Sequence, residues 1–447
     1  MAYKIYDSYH VHGIVVHEYM FTLPLDYARP DGDTITVFAR RVVPYDEASV
    51  DDADACKRPF MVYLQGGPGF QCDAPLTNSG RIREVLDKGY QLINLDQRGT
   101  GFSSPITPAT LERLGSDAAK ADYLAQFRAD NIVRDCEEIR KALTKTHTAK
   151  QWSLLGQSFG GFCAVTYLSF YPASVKDVLI TGGLPPLVDG PDAVYAALYE
   201  RMKSRNRAYY AKYPKDVARV RAVLAHLAAH DVRLPSGGAL TVDRFQQLGI
   251  EFGRHQGIDA VHQLVSRCAY ELELVGSITY ATLYAVDAVL ALDTNVLYAC
   301  MHEAIYCQGR ASRWAAERLR RRPENAEFVY AAAADAPVFF TGEMIFRSMF
   351  DDFAQLRPLK PVAELLAAKA DWPPLYDRAA LARCPARVAA VSYFNDPYVD
   401  VDLSVAAARA IAGCRQWVTS EFLHNGIGVN PGRVLGELFK LLQSDVE

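Results

Sequence analysis

Two features of the sequence predict an α/β protein whose mainly parallel sheet is interrupted by a helical insertion. Apolar runs of strand length alternate with helical segments from Ile35 to Gly183 and again from Cys384 onward. Alternation of that kind builds a parallel sheet covered by helices. Between these stretches, after "GGLPPLVDGPD" (Gly182 to Asp192), the texture shifts to Ala, Leu, Tyr, Arg and Glu in helical patterns, with few strand-like runs. Ligands bind outside the carboxyl ends of the strands in such sheets, and an insertion leaving from that edge would roof a site.

Each element has its own signal. "ITVFARRVVP" (Ile35 to Pro44) and "PFMVYLQGGPG" (Pro59 to Gly69) are rich in β-branched and aromatic residues, and the second ends in a Gly/Pro cluster, as a strand entering a loop does. "YQLINLDQRGTGFSSP" (Tyr90 to Pro105) repeats the pattern. "RADNIVRDCEEIRKALT" (Arg128 to Thr144) sets Ile132, Val133, Cys136, Ile139 and Leu143 on one face of a helix. "QWSLLGQ" reads as a short strand, "FGGFCAVTYLSFYP" as an apolar helix halted at Pro172, and "VKDVLITGG" as a buried strand. After the insertion come the strands in "CPARVAAVSYFNDPYVD" and "QWVTSEFLHNG", then the helix "GRVLGELFKLLQ". The expected division is core at 1–185, helical cap at 186–378, and core again at 379–447.

Composition excludes several classes of function. The chain has 447 residues, of which 50% are hydrophobic and 22% charged, with a formal net charge of −4. That balance suits a soluble protein with a large core and gives no electrostatic footprint for nucleic acid. The arginines of "RLRRRPENAE" (Arg318 to Glu327) form a short run ending in acids and read as a solvated helix end. No window reaches the ~18 apolar residues of a membrane helix, and the first residues lack a secretory pattern. Nine cysteines without CxxC spacing suggest reduced thiols. A cytoplasmic protein with neither nucleic-acid nor membrane partners is therefore expected.

The chemistry centres on "LLGQSFGGF" (Leu154 to Phe162). Gly-x-Ser-x-Gly is a weak signal alone, but here Ser158 stands between a strand and an apolar helix, as a nucleophile elbow requires. Small residues at Gly156 and Gly160 permit the tight turn and close helix–strand packing. A serine nucleophile needs a base, and the base needs an orienting acid. In folds of this order the acid precedes the histidine. The one histidine beyond His302 is His424, just after a strand. For the acid, Asp396 directly follows a strand, whereas Asp400 and Asp402 fit better as the acidic first turn of the next helix. Asp396 is preferred, with Asp400 the alternative. The oxyanion donors would be the backbone N–H of Phe159 and an amide at Gly67 in "QGGPGF" (Gln65 to Phe70). "HEAIY" begins like a zinc-binding HExxH helix, but Tyr306 replaces the second histidine, so zinc is not expected.

Together, "GGPG", "DQRGTGFS" (Asp96 to Ser103) and "GQSFGG" resemble the prolyl iminopeptidase family of serine peptidases. The resemblance continues through "DNIVRDCEEIR", "YFNDPYVD" and "LHNG". It implies an α/β-hydrolase core, a mostly parallel sheet with helices on both faces, carrying an inserted, mainly helical cap domain. It also implies a serine exopeptidase that releases an N-terminal residue, preferentially proline, from short peptides with a free N-terminus, without metal or organic cofactor. By the same resemblance, Glu303 in "MHEAIYCQG" and Glu343 in "FTGEMIF" correspond to cap glutamates that bind the substrate amine. The aromatic neighbours Tyr306, Phe340 and Phe346 would then close a slot around a pyrrolidine ring. One departure is Gln65, where the family often has His. The rival expectation is an esterase or amidase acting on a small neutral substrate. Oligomeric state is not legible in the sequence.

Overall fold

The structure, a computed structural model, describes residues 2–444. Among the described residues, nine strands form one sheet: β1 (Ala2–Val11), β2 (Ile14–Pro24), β3 (Thr34–Pro44), β4 (Phe60–Leu64), β5 (Gln91–Asp96), β6 (Trp152–Gln157), β7 (Val175–Thr181), β8 (Arg387–Tyr393) and β9 (Arg415–Thr419). Their spatial order is β1-β2-β3-β5-β4-β6-β7-β8-β9. The first three strands are an antiparallel meander joined antiparallel to β5, and every later pairing is parallel.

Period-two alternation decides what each strand feeds. In β4, Phe60, Val62 and Leu64 face a core built with Ile132, Val133, Cys136 and Ile139 of the helix Ala129–Leu143. Met61 and Tyr63 face the opposite layer, with Val85 and Leu86 of the helix Gly80–Asp87 and Leu435 and Leu438 of the helix Pro431–Gln443. Covered on both faces, β4 and β5 are buried along their whole length, which is why they read as continuous apolar runs. The helix Phe159–Phe170 is buried at every position but its last, and its sequence is accordingly apolar all round.

The meander at the sheet's edge has no counterpart in the sequence reading before Ile35. β1 is mostly solvent-exposed, with Tyr9 and Val11 packed against the core, and a register shift between Ile5 and Asp7 interrupts its alternation. Its turn into β2 uses Gly13 at φ +85°.

Between β7 and β8 the chain is helical, with the helices Asp192–Lys212, Asp216–Ala229 and Gly257–Val275 the longest. This insertion has its own aromatic core, in which Tyr209 meets Phe252 and Phe340 at ring-centroid distances of 5.2 and 5.6 Å. Among the described residues no helix is long and apolar enough to cross a membrane.

Candidate active site

Ser158 is the hinge between β6 and the helix Phe159–Phe170. Its backbone sits at φ +53° and ψ −124°, a region that costs a non-glycine residue about 1–3 kcal/mol and persists only where surroundings enforce it. They do so here. The Ser158 N–H donates to Thr181 O of β7 at 3.0 Å, and its carbonyl accepts from Gly161 N at 2.7 Å. The turn tolerates only glycine nearby: a Cβ at Gly160 would lie 1.8 Å from Leu64 O. The serine is thereby raised at the carboxyl edge of the sheet, in front of the positive end of a helix.

Asp396 and His424 arrive from the loops after β8 and β9. Asp396 Oδ2 and His424 Nδ1 are 2.7 Å apart, and the aspartate is buried. Its other oxygen accepts the N–H groups of Tyr398 and Val399 at 2.8 and 3.2 Å, so the carboxylate cannot rotate away from the ring. With Nδ1 bonded to Asp396, Nε2 is the ring nitrogen left to receive a proton. Burial lowers the His424 pKa, but the charge and hydrogen bond of Asp396, with the charge of Glu343, outweigh burial and Arg254 and raise it above the ordinary imidazole value. Asp400 is engaged elsewhere. One of its oxygens caps the helix Val401–Ala410 through the N–H groups of Asp402 and Leu403, both at 3.0 Å. The other accepts from Arg201 Nε at 2.7 Å.

Ser158 and His424 line one cavity of about 400 Å³, together with Gln65, Gly66, Gly67 and Glu343. The glycine loop abuts the serine: a Cβ at Gly66 would stand 2.9 Å from the Ser158 Cβ. Among the described residues, neither the Gly67 nor the Phe159 amide is committed to another hydrogen bond. Gln65, in place of the family's histidine, accepts from Tyr63 Oη at 2.6 Å through its side chain and from Gln97 Nε2 at 3.1 Å through its carbonyl.

The two glutamates expected to bind the amine have different surroundings. Glu343 lines the cavity and accepts from Tyr298 Oη at 2.8 Å, with His302 Nε2 at 3.9 Å. Burial alone would push its carboxyl up. The hydrogen bonding and charge of His302, with contributions from His424 and Tyr298, prevail and hold it below the ordinary carboxylate value. Glu303 does not line the cavity. Its carboxylate accepts the Ala316 N–H at 3.1 Å, at the start of the helix Ala315–Arg320, and burial pushes its pKa up. Glu303, read from the sequence beside Glu343 as amine-binding, opens a 3₁₀ turn, and its second carboxylate oxygen is buried without a hydrogen-bond partner among the described residues.

The three aromatic residues expected around the pyrrolidine ring have these neighbours. Tyr306 packs against Phe162 and Tyr195, Phe340 belongs to the insertion's core, and Phe346 lies under Arg320. The rings that do line the cavity are Phe70, Tyr298 and Tyr398, beside the aliphatic Val289, Leu290 and Leu292. Tyr298 has a sequence signal, since it lies one helical turn before His302, and both reach Glu343. Tyr398 follows Asp396 by two residues and donates its N–H to it, whereas Arg254 has no such signal, because tertiary packing brings it to the cavity.

Residues 59–236 match the α/β hydrolase fold family. Over 436 residues the chain is 44% identical to a proline iminopeptidase of Aeromonas sobria, covering 97% of this chain and 98% of that protein. A proline iminopeptidase of Aspergillus aculeatus is 40% identical over 432 residues, 96% of this chain and 94% of the relative. The chain belongs to the proline iminopeptidase family. A crystal structure of the proline iminopeptidase of Mycobacterium smegmatis aligns over 95% of this chain and 97% of that one, with 14% identity and a TM-score of 0.44.

In this member of the proline iminopeptidase family, the DQRGTGFS run is a brace behind the site. Arg98 forms a two-pronged ion pair with Asp135, at 2.7 and 2.5 Å, and donates to the carbonyls of Leu25 and Gln126. Asp96 accepts from the amides of Cys72 and Phe102. Ser103 Oγ donates to Asp96 O at 2.6 Å and accepts from Phe38 N at 2.7 Å. The motif thus ties the loops after β4 and β5 to the meander and to the helix Ala129–Leu143.

Proposed function

We propose that this protein is a serine exopeptidase that releases an N-terminal residue, preferentially proline, through an acyl-enzyme on Ser158. One observation carries the reading: a strained serine, an aspartate-held histidine and a buried carboxylate line the same cavity. Glu343 accepts the substrate's ammonium group, since a hydrogen bond to a charged partner contributes about 1.5–3 kcal/mol net. Its depressed pKa keeps it ionised for that role. The apolar wall of Phe70, Tyr298, Leu290 and Leu292 suits a pyrrolidine ring.

In the reaction, Ser158 Oγ attacks the carbonyl of the first residue while His424 Nε2 takes its proton. Asp396 holds the ring and stabilises the imidazolium. The oxyanion is received by the amides of Phe159 and Gly67, each donor of this kind being worth about 10²–10³-fold in turnover. His424 then protonates the leaving amine as the C–N bond breaks. Water, activated by the same histidine, cleaves the ester, releasing the amino acid and restoring the serine. The nine cysteines are all free thiols and eight are buried, which suits a reducing compartment such as the cytoplasm.

The test is a pair of fluorogenic proline amides, one with a free imino group and one N-acetylated. Turnover of the free substrate at least about tenfold above the acetylated one is expected if Glu343 binds a cation. Equal rates would remove the exopeptidase assignment and favour an amidase or esterase.

A further inference from the structure

The cavity holds a cation that this reaction does not use. Arg254 follows the 3₁₀ segment Gln247–Gly253, and the chain on both sides of it is fastened to the loop bearing the base. Gly253 O accepts the His424 N–H at 3.0 Å, and the His255 N–H donates to Asn425 Oδ1 at 3.0 Å. The arginine is therefore held beside His424 by backbone on either side. Its side chain lines the same cavity as Ser158 and Glu343.

Charge is arranged unevenly along this cavity. Glu343 is 13% exposed, whereas the Arg254 side chain is 55% exposed. Among the described residues, the one ionic partner of Arg254 is Glu251, at 3.2 Å. A guanidinium carries five N–H donors in a planar fork that matches a carboxylate. A half-exposed ion pair is weak and exchanges partners at small cost.

We propose that Arg254 is a specificity-determining residue that receives the C-terminal carboxylate of a dipeptide substrate. The inference rests on the reading of Ser158 and Glu343 given above. A dipeptide is a zwitterion with one peptide bond between its charges, and its extended length is about 7 Å. With its ammonium on Glu343 and its scissile carbonyl at Ser158, the carboxylate emerges on the leaving-group side, where an open cation can meet it. Each further residue carries that carboxylate about 3.3–3.6 Å farther out, and an amide in its place presents no charge. The preference is thus for free dipeptides over their amides and over longer chains.

The experiment compares prolyl-alanine, prolyl-alaninamide and a neutral fluorogenic proline amide with the full chain and with Arg254→Gln and Arg254→Lys. In the unaltered protein, kcat/KM for the free acid should exceed that for the carboxamide by about fivefold, the upper end for an exposed ion pair. The difference should reside in KM and shrink as salt is added. Arg254→Gln should bring the ratio to about one, and Arg254→Lys should retain part of it, because it keeps the charge but loses the fork. A ratio of one or below in the unaltered protein, or a ratio that survives Arg254→Gln, overturns the proposal. Should the glutamine variant fail to fold, the unaltered protein's ratio and its salt dependence still decide the matter. A protein inert toward all three substrates overturns the peptidase assignment itself. Turnover of the neutral amide with a ratio of one overturns only the carboxylate role.

Discussion

On the core side of the cavity, the side chains of the proposed reaction leave the carboxyl ends of strands, and the loop bearing His424 is also fastened to the insertion at Gly253. Ser158 is set by a turn between β6 and its helix, and Asp396 and His424 sit in loops leaving β8 and β9. On the insertion side, Glu343 stands in a stretch without regular structure, and its place depends on Tyr298 and His302 from a distant segment. Glu303, just after that segment, accepts the Ala316 N–H at a helix start. The difference teaches that a sheet specifies a site through local geometry, whereas a helical insertion specifies it through packing between segments that carry no mutual sequence signal.

The comparison breaks first, and most severely, on the core side. Ser158→Ala should lower kcat by about 10⁴-fold or more, and Asp396→Asn by about 10⁴-fold through loss of the correct imidazole tautomer. Stopped or initial-rate assays on a fluorogenic proline amide measure both. Asp400→Ala sharpens the contrast. It removes a helix cap and an ion pair with Arg201 and should cost about 1–3 kcal/mol of unfolding free energy. Its kcat/KM should stay within about threefold of the unaltered protein, since Asp400 makes no contact with His424.

On the insertion side the effects are smaller and unequal. Glu343→Gln should reduce kcat/KM for free-amine substrates by about 10–100-fold, the worth of one charged hydrogen bond. Glu303→Gln keeps an acceptor for the Ala316 N–H and removes a charge that burial disfavours. Its turnover should stay within about threefold of the unaltered protein. Equal losses in the two variants would place both glutamates at the amine site.

The smallest expected effect is a shift in pH profile. His424 acts as a base in its neutral form, and its pKa lies above the ordinary value. The acid limb of kcat/KM should therefore be centred above pH ~6.5. Asp396 and Glu343 raise that pKa while burial and Arg254 lower it, so Glu343→Gln should move the limb to lower pH. A limb that stays in place, or moves upward, would show that Glu343 does not act on the base electrostatically.

What was legible in the sequence follows the same division. The strands β4 to β8 are buried on both faces and announce themselves as apolar runs, and the Ser158 elbow is fixed by glycines that nothing else could replace. β1 and β2 carry weaker signals, since a bulge between Ile5 and Asp7 interrupts the alternation of β1 and His17 and Glu18 break the apolar run of β2. Gln65 and Gly67 follow β4 directly and Phe159 opens the helix after Ser158, so adjacency in sequence suffices to position them in the chain. Tyr306, Phe340 and Phe346 were placed beside the cavity because they neighbour its glutamates in sequence. Within the insertion, however, the direction of a side chain depends on which helix end it meets. Arg254 was invisible for the complementary reason, since its position comes from hydrogen bonds to residues about 170 positions later.

The most direct test treats the protein with a fluorophosphonate and maps the adduct by mass spectrometry, alongside Ser158→Ala. A single adduct on the peptide containing Ser158, abolished in the variant, is the expected result. An unmodified serine in folded protein, or an adduct at another residue, would contradict the account of this cavity as a serine hydrolase site.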